Sequence, residues 1–389
     1  MEYWKKSLSY FFNTTQKWNE VAQTGNPTQS KKVNTLIKVV KRAETRGNGA
    51  QAKADRALSI SEFKALLDLM ESNQYRAAMN FQHHLIGRCD DMAHVKKSTL
   101  KPSLEFPGYL TTKIAWSKNV HDESNCPDQI LIPCMDHEMC CYLSLAIWLE
   151  KWIQFGDGWL SQWLFCDGST TSDSPTIDQD REALNGKNSY TRAIKRALEN
   201  PAFRKESPGK LGSHSIRKLA VTTCRRKGVK KDDIDYRARW QTNGRMQDRY
   251  TDIQLNWPDV HCAGKLCNDR PCKYVVKESA GITDEWLCRN VVPNITAVFG
   301  NEVGAIFAKP LLWAAYDVEW SERLSPEIKH RIISAFIRLD RGVDVGNPVK
   351  IVEIIAMEGR NNAVLLADKW ANAIYNLTVS YLPVTVYRS

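Results

Sequence analysis

A chain of 389 residues is long enough for two or three domains with real cores, and its 54 Lys and Arg against 44 Asp and Glu, a formal +10, point to a polyanionic partner. Eleven Cys without framework spacing, no opening signal peptide, and no apolar run of the roughly 18 residues that a membrane span needs argue against disulfide-scaffold and membrane-spanning classes. A reducing intracellular compartment is the expected setting. The charge is also local: residues 201–250 hold fourteen Lys and Arg against five Asp and Glu, whereas residues 281–389 hold eleven against twelve.

In chain order, residues 1–21 read as one aromatic-rich helix with Trp4, Leu8, Phe11, Phe12 and Trp18 along a face. Residues 23–58 read as a basic linker with a short helical piece at 33–43 before the Gly47-Asn48-Gly49 break. Ser59 with Glu62 three positions on is a capping signal for an amphipathic helix over 62–70. A second helix over 74–85 ends in the turn Gly87-Arg88. Residues 106–116 and 129–133 read as strands around a polar loop that carries Lys118. A strong helix spans 136–155, its stripe of Met139, Tyr142, Leu143, Ala146, Leu149 and Ile153 being core. Residues 157–175 are turn-rich. Helices resume at 189–198, 213–227, 232–240 and 244–250. After Pro258, residues 261–272 read as a Cys-rich connector, and four or five helices follow from 283.

The densest chemistry lies in residues 211–252, LGSHSIRKLAVTTCRRKGVKKDDIDYRARWQTNGRMQDRYTD. His214 and Arg217 follow a helix-start residue, Ser213. A helix N-terminus offers free backbone N–H groups and a positive dipole end, and an Arg one turn in can fork onto two phosphate oxygens, so the pattern suits a phosphate. Tyr250, between Arg249 and the basic helix, is placed for a nucleophile, because nearby cations stabilise a phenolate.

Arg88 with Asp91 three positions on, a Lys on a hairpin, His-x-x-Arg, and then Trp240 and Tyr250 follow the order of the tyrosine recombinases, the phage integrase class, and the chain resembles that class over residues 59–252. DYRARW before the tyrosine, and CKYVVKESAGITDEWLCRNVVPNI with KPLLWAAYD after it, look like the Crypton group of eukaryotic DNA transposons. The resemblance implies a mainly α protein with a small antiparallel β-sheet (α+β), in which a tyrosine recombinase catalytic fold is followed by an extra α-helical C-terminal domain. The divisions it suggests are the last helix of a core-binding domain (1–22), a basic linker (23–58), the catalytic domain (59–256), a Cys-rich connector (257–280) and a helical domain for protein or DNA contact (281–389). With one convincing helix before the linker, where the class has several, an incomplete DNA clamp is expected.

The resemblance also implies roles. Arg88 and Arg217 clamp the non-bridging oxygens of the scissile phosphate, and Asp91 orients Arg88. Lys118 is the general acid for the departing 5′ oxygen, with Lys113 as the alternative because the hairpin loop is longer than usual. His214 bonds the phosphate or takes the phenolic proton, and Trp240 donates its indole N–H or simply packs the core. Tyr250 is the nucleophile, with Tyr236 as a distant rival. Unperturbed phenol has a pKa of about 10, so its surroundings must supply roughly 4 kcal/mol at pH 7. The spacing from Trp240 to Tyr250 is ten residues where relatives commonly have nine.

Duplex DNA is then the partner, gripped through phosphate contacts from Lys195, Arg196, Lys205, Lys210, Lys218, Arg225, Arg226, Lys227, Lys230 and Lys231, some of which are ordinary solvated residues. A tetramer on DNA, a nuclear location and chemistry without metal, ATP or other cofactor complete the expectation. His261, Cys262, Cys267, Cys272 and Cys288 lack the close pairs of a structural zinc site, so buried free thiols are expected instead. The competing readings are a type IB topoisomerase, which reseals the same strand, and a domesticated DNA-binding derivative without catalysis.

Overall fold

The computed structural model describes residues 2–12, 16–47, 55–116, 126–155, 161–165, 179–240, 254–277, 282–338 and 352–356. The chain divides into a unit from Met1 to Asp55 and a larger unit from Arg56 to Ser389.

In the first unit, α1 (Glu2–Phe11) is half the length expected, and α2 (Lys31–Gly47) is longer than the short piece read from the sequence. Residues 16–30 form turns between them. Asn26 organises these turns: its side-chain oxygen accepts from the Thr28 amide (3.1 Å) and hydroxyl (2.7 Å), and its amide nitrogen donates to Ser9 (2.7 Å). Lys5 donates to Asn34 across the two helices at 2.5 Å. The apolar stripe does not make a core, since Trp4, Leu8, Phe11 and Phe12 are all exposed.

The second unit is mainly helical with a small three-stranded antiparallel sheet, an α+β arrangement. It opens with α3 (Ile60–Asp68), whose start is the expected capping box: Ser59 accepts from the Glu62 amide at 3.0 Å and Glu62 accepts from the Ser59 amide at 2.9 Å. Arg56 closes over Glu62 with a two-pronged ion pair. Then follow α4 (Asn73–His84), α5 (Cys89–Ala93), β1 (Lys101–Pro102), β2 (Leu110–Thr112) and β3 (Gln129–Leu131), with Leu110 opposite Leu131 and Thr112 opposite Gln129. Strands β2 and β3 fall within the expected ranges, β1 lies before them where no strand was expected, and all are only two or three residues long.

Helix α6 (Cys141–Phe155) packs against α4 and is buried almost all round, Tyr142, Leu143, Leu145, Ala146 and Leu149 included. The Tyr142 hydroxyl pins the sheet to it by accepting from the Leu110 amide (2.6 Å) and donating to the Leu131 carbonyl (2.9 Å). Next come α7 (Gln179–Glu199), which starts ten residues earlier than the pattern suggested, α8 (Ser213–Arg226) and α9 (Lys231–Arg237).

The stretch read as a Cys-rich connector is ordered core. Helix α10 (Asn256–Leu266) runs through Pro258, which sits in the first turn where its missing N–H costs nothing, and β4 (Cys272–Val276) follows. Cys262, Cys267, Cys272 and Cys288 are buried and form no disulfide. The helices α11 (Asp284–Asn290), α12 (Pro293–Phe299), α13 (Asn301–Tyr316) and α14 (Pro326–Ile337) come next, and then a strand the sequence did not suggest, β5 (Val352–Ala356), pairs antiparallel with β4.

These later helices share one continuous core with α3, α4 and α6, through Leu287, Ile295, Phe307, Leu311 and Ile328. Glu150 of α6, fully buried, is the polar fastener. It accepts from the Ile295 amide (3.0 Å), the Asn294 side chain (3.0 Å) and Arg331 of α14 (2.5 Å). The Asn294 side chain thus serves the interior.

Candidate active site

Two turns deliver the residues of the site. The first closes α4: Leu85 ends the helix, Ile86 takes φ +50, and the Gly87 amide returns to the Gln82 carbonyl at 2.8 Å. A β-branched residue with positive φ is strained backbone, held here because Ile86 is wholly buried. Gln82 fixes this turn against the start of α8, donating to the carbonyls of Gly87 and Ser213, both at 3.2 Å. Arg88 caps α5 in an extended conformation, and Asp91 reaches back to its amide at 2.9 Å.

The second turn ends α9. Arg239 adopts φ +55, and the Trp240 amide returns to the Asp235 carbonyl at 2.9 Å. That reversal brings the Trp240 ring over Arg217, with guanidinium carbon and ring centroid 5.3 Å apart. Helix α8 carries Arg217 on its buried side and His214 on its exposed side. Gly212, not Ser213, is the residue before the first helical turn.

Asp91 lies at the centre, 1% exposed. Its Oδ2 accepts from Arg217 Nη1 (3.4 Å) and Arg239 Nη2 (3.3 Å) besides the Arg88 amide, and its Oδ1 lies 4.0 Å from Arg88 Nη1. Arg217 also donates to the Ala238 carbonyl at 2.7 Å. The exposures of the three side chains grade inward, 23% for Arg88, 8% for Arg217 and 2% for Arg239, so Arg88 stands at the mouth and Arg239 behind.

Three guanidinium groups stand around one carboxylate in a half-enclosed place. Burial, with Arg239 and Arg88 adding repulsion and Asp91 opposing them, pushes the Arg217 guanidinium down to about 9. A purely structural buried arginine looks different. Arg237, wholly buried, meets Asp259 one to one at 2.5 Å and spends its other donors on the carbonyls of His84 and Ile130. Three guanidinium groups gathered at one carboxylate, one of them reaching the mouth, offer donors that suit an anion.

The other residues singled out from the sequence divide into three groups. Lys118 and Tyr250 lie outside the described residues, as does the helix expected over 244–250. The described residues that flank Tyr250's stretch are Trp240, stacked on Arg217, and Gln254, which exchanges two 3.0 Å hydrogen bonds with the backbone of Asp128 beside β3. Lys113 is half-buried just after β2. The Tyr236 hydroxyl accepts from the Leu255 amide at 2.9 Å, and burial pushes its pKa up, which suits a structural tyrosine.

Among the basic residues, Lys218 and Arg225 share with His214 the exposed face of α8, at i, i+4 and i+11. Lys205, Lys210, Arg226 and Lys230 are exposed as well. Lys195 pairs with Glu199 (3.8 Å), Arg196 with Glu71 (3.1 Å), and Lys231 with Asp235. Lys227 points inward to Asp269 (2.8 Å) and the Lys265 carbonyl (3.3 Å), which takes it away from a DNA-facing role.

Sequence reasoning passed over Arg237 and Arg239. Buried arginines follow no periodicity, and the one hint was their alternation with small Ala238 immediately before Trp240. Comparison with family models, with curated proteins and with solved structures finds no match to this chain.

Proposed function

We propose that this chain breaks and rejoins DNA strands through a covalent phosphotyrosyl intermediate, as a tyrosine recombinase. The observation that carries the reading is the gathering of Arg88, Arg217 and Arg239 around Asp91, with Trp240 over Arg217 and His214 on the same helix as Arg217. A phosphodiester gains charge on its non-bridging oxygens as it becomes pentacoordinate. In this reading Arg88 at the mouth and Arg217 behind it receive that charge, each such bond contributing on the order of 1.5–3 kcal/mol. His214, on the first turn of α8, adds a donor or takes the phenolic proton.

In the step itself the Tyr250 oxygen bonds to phosphorus, the P–O5′ bond breaks, and the leaving oxygen takes a proton from Lys118, or from Lys113. The 3′ end stays on the tyrosine until a 5′ hydroxyl of a partner duplex attacks that link, restoring the phenol. No cofactor enters the balance. The face of α8 with Lys218 and Arg225 would lie along the duplex backbone.

Among recombinases of this class, the sequence phrasing around Trp240 and Cys288 favours the Crypton type, and with it a nuclear transposon enzyme that works as a tetramer on double-stranded DNA. The test uses a pool of nicked duplexes randomised around the nick, so that the released fragment cannot religate. The expected result is a covalent protein–DNA adduct that Tyr250→Phe abolishes, with strand transfer between two duplexes. Relaxation of supercoiled plasmid without transfer would favour a topoisomerase, and absence of any adduct would leave a DNA-binding protein.

A further inference from the structure

Resting on the strand-cleavage reading, we propose that Arg239 is a positioning residue. It ties the root of the β2–β3 hairpin to the carboxylate that holds Arg88 and Arg217, so that the hairpin lysine and the two arginines address one phosphate.

Gln129 and Thr112 form the last pair of the hairpin before its loop, and Lys113 is the next residue along. The Gln129 side-chain nitrogen donates to the Arg237 carbonyl at 2.8 Å, which turns its oxygen toward Arg239 Nη1. The same Nη1 reaches the carbonyls of Arg237 (3.0 Å) and Leu85 (3.3 Å), while Nη2 reaches Asp91 Oδ2 (3.3 Å). One planar group therefore touches the hairpin root, the strained α4 turn and the centre of the arginine cluster.

At 2% side-chain exposure Arg239 is shut away from any substrate, so its effect on a reaction runs through the groups it fixes. Its backbone is specialised for the task. The left-handed φ of +55 turns residue 239 inward directly after α9 and still allows Trp240 to stack on Arg217. Lysine in its place would bring a point charge on a flexible stem, unable to reach Gln129 and Asp91 together.

The test compares two forms of the duplex enriched from the nicked pool, one with the ordinary 5′ bridging oxygen and one with sulfur there. Sulfur departs as a thiolate and needs no proton from the protein, so a misplaced general acid slows only the oxygen substrate. For Arg239→Gln, cleavage of the oxygen substrate is expected to fall on the order of 100-fold, with the sulfur substrate cleaved within a few-fold of the wild-type rate. Arg239→Lys, which keeps the charge, should show the same split in milder form. DNA binding by each variant, measured by fluorescence anisotropy, checks that the fold survives. If both substrates slow alike in either folded variant, Arg239 is an ordinary structural residue and the proposal is overturned, while the strand-cleavage reading stands. If the wild-type protein captures nothing from the pool, that reading falls and takes this proposal with it.

Discussion

Replacing Asp91 by Asn removes the negative charge at the centre of the arginine cluster and nearly nothing of its volume. In the native protein that carboxylate, itself 1% exposed, meets Arg217 at 3.4 Å, Arg239 at 3.3 Å and the Arg88 amide at 2.9 Å. Removing one partner from a buried ion pair typically costs about 3–5 kcal/mol. That is a large part of the roughly 5–15 kcal/mol that holds a domain folded. The cost should be partly reversible by an anion, because the substitution takes a negative charge away from three guanidinium groups and Arg88 opens them to solvent. Sulfate at ten times its dissociation constant would restore about 1.4 kcal/mol. The assay is urea unfolding followed by circular dichroism, in sodium sulfate and in sodium chloride of equal ionic strength. Asp259→Asn is the control, since its partner Arg237 is wholly buried and has no opening for an ion. The reasoning is refuted if Asp91→Asn costs less than about 1 kcal/mol, or if sulfate helps both variants equally.

Arg217→Lys keeps the charge but loses the fork that reaches Ala238 and Asp91 together, so adduct formation on nicked DNA should drop on the order of 100-fold with little change in melting temperature. Lys218→Ala and Arg225→Ala should each weaken duplex binding and lower the slope of log affinity against log salt by about one, while Lys227→Ala leaves the slope unchanged, as salt titrations would read. Burial alone would raise the Glu62 carboxyl, but the Arg56 hydrogen bond and the Ser59 and Glu206 amides outweigh it and hold the group at about 2. Its contribution is therefore present above the unfolded value near 4.5 and is lost as pH falls toward 2. Glu62→Gln should flatten that acid limb by about 3 kcal/mol in unfolding experiments between pH 2 and 5.

Local rules were the legible part. Ser59 with Glu62 announced α3, the stripe on α6 announced core, and Gly87 announced the turn that presents Arg88. The order Arg88, Asp91, His214, Arg217, Trp240 was readable too: Arg88 and Arg217 lie around Asp91, Trp240 lies over Arg217, and His214 is on the same helix as Arg217. What depends on distant partners was hidden. The β4 strand pairs with residues some eighty positions away, and no turn between them signals the pairing. Pro258 reads as a break until its place in a first turn is known. Helix α1 was overextended because an aromatic stripe resembles a buried face even where it stays exposed. Arg239 was invisible because its importance comes from three segments that meet only after folding.

The Glu150 fastener bears on how such a protein is taken apart in the laboratory or by evolution. A fragment ending near residue 280 would strip away the Ile295 amide, the Asn294 side chain and Arg331, leaving a bare acid facing water-exposed aliphatic surface in the middle of α6. Such a fragment should aggregate during expression, and shuffling the segment between relatives should work only when α6 travels with it. The last third of the described polypeptide acts as a keystone for the core that α3, α4 and α6 begin.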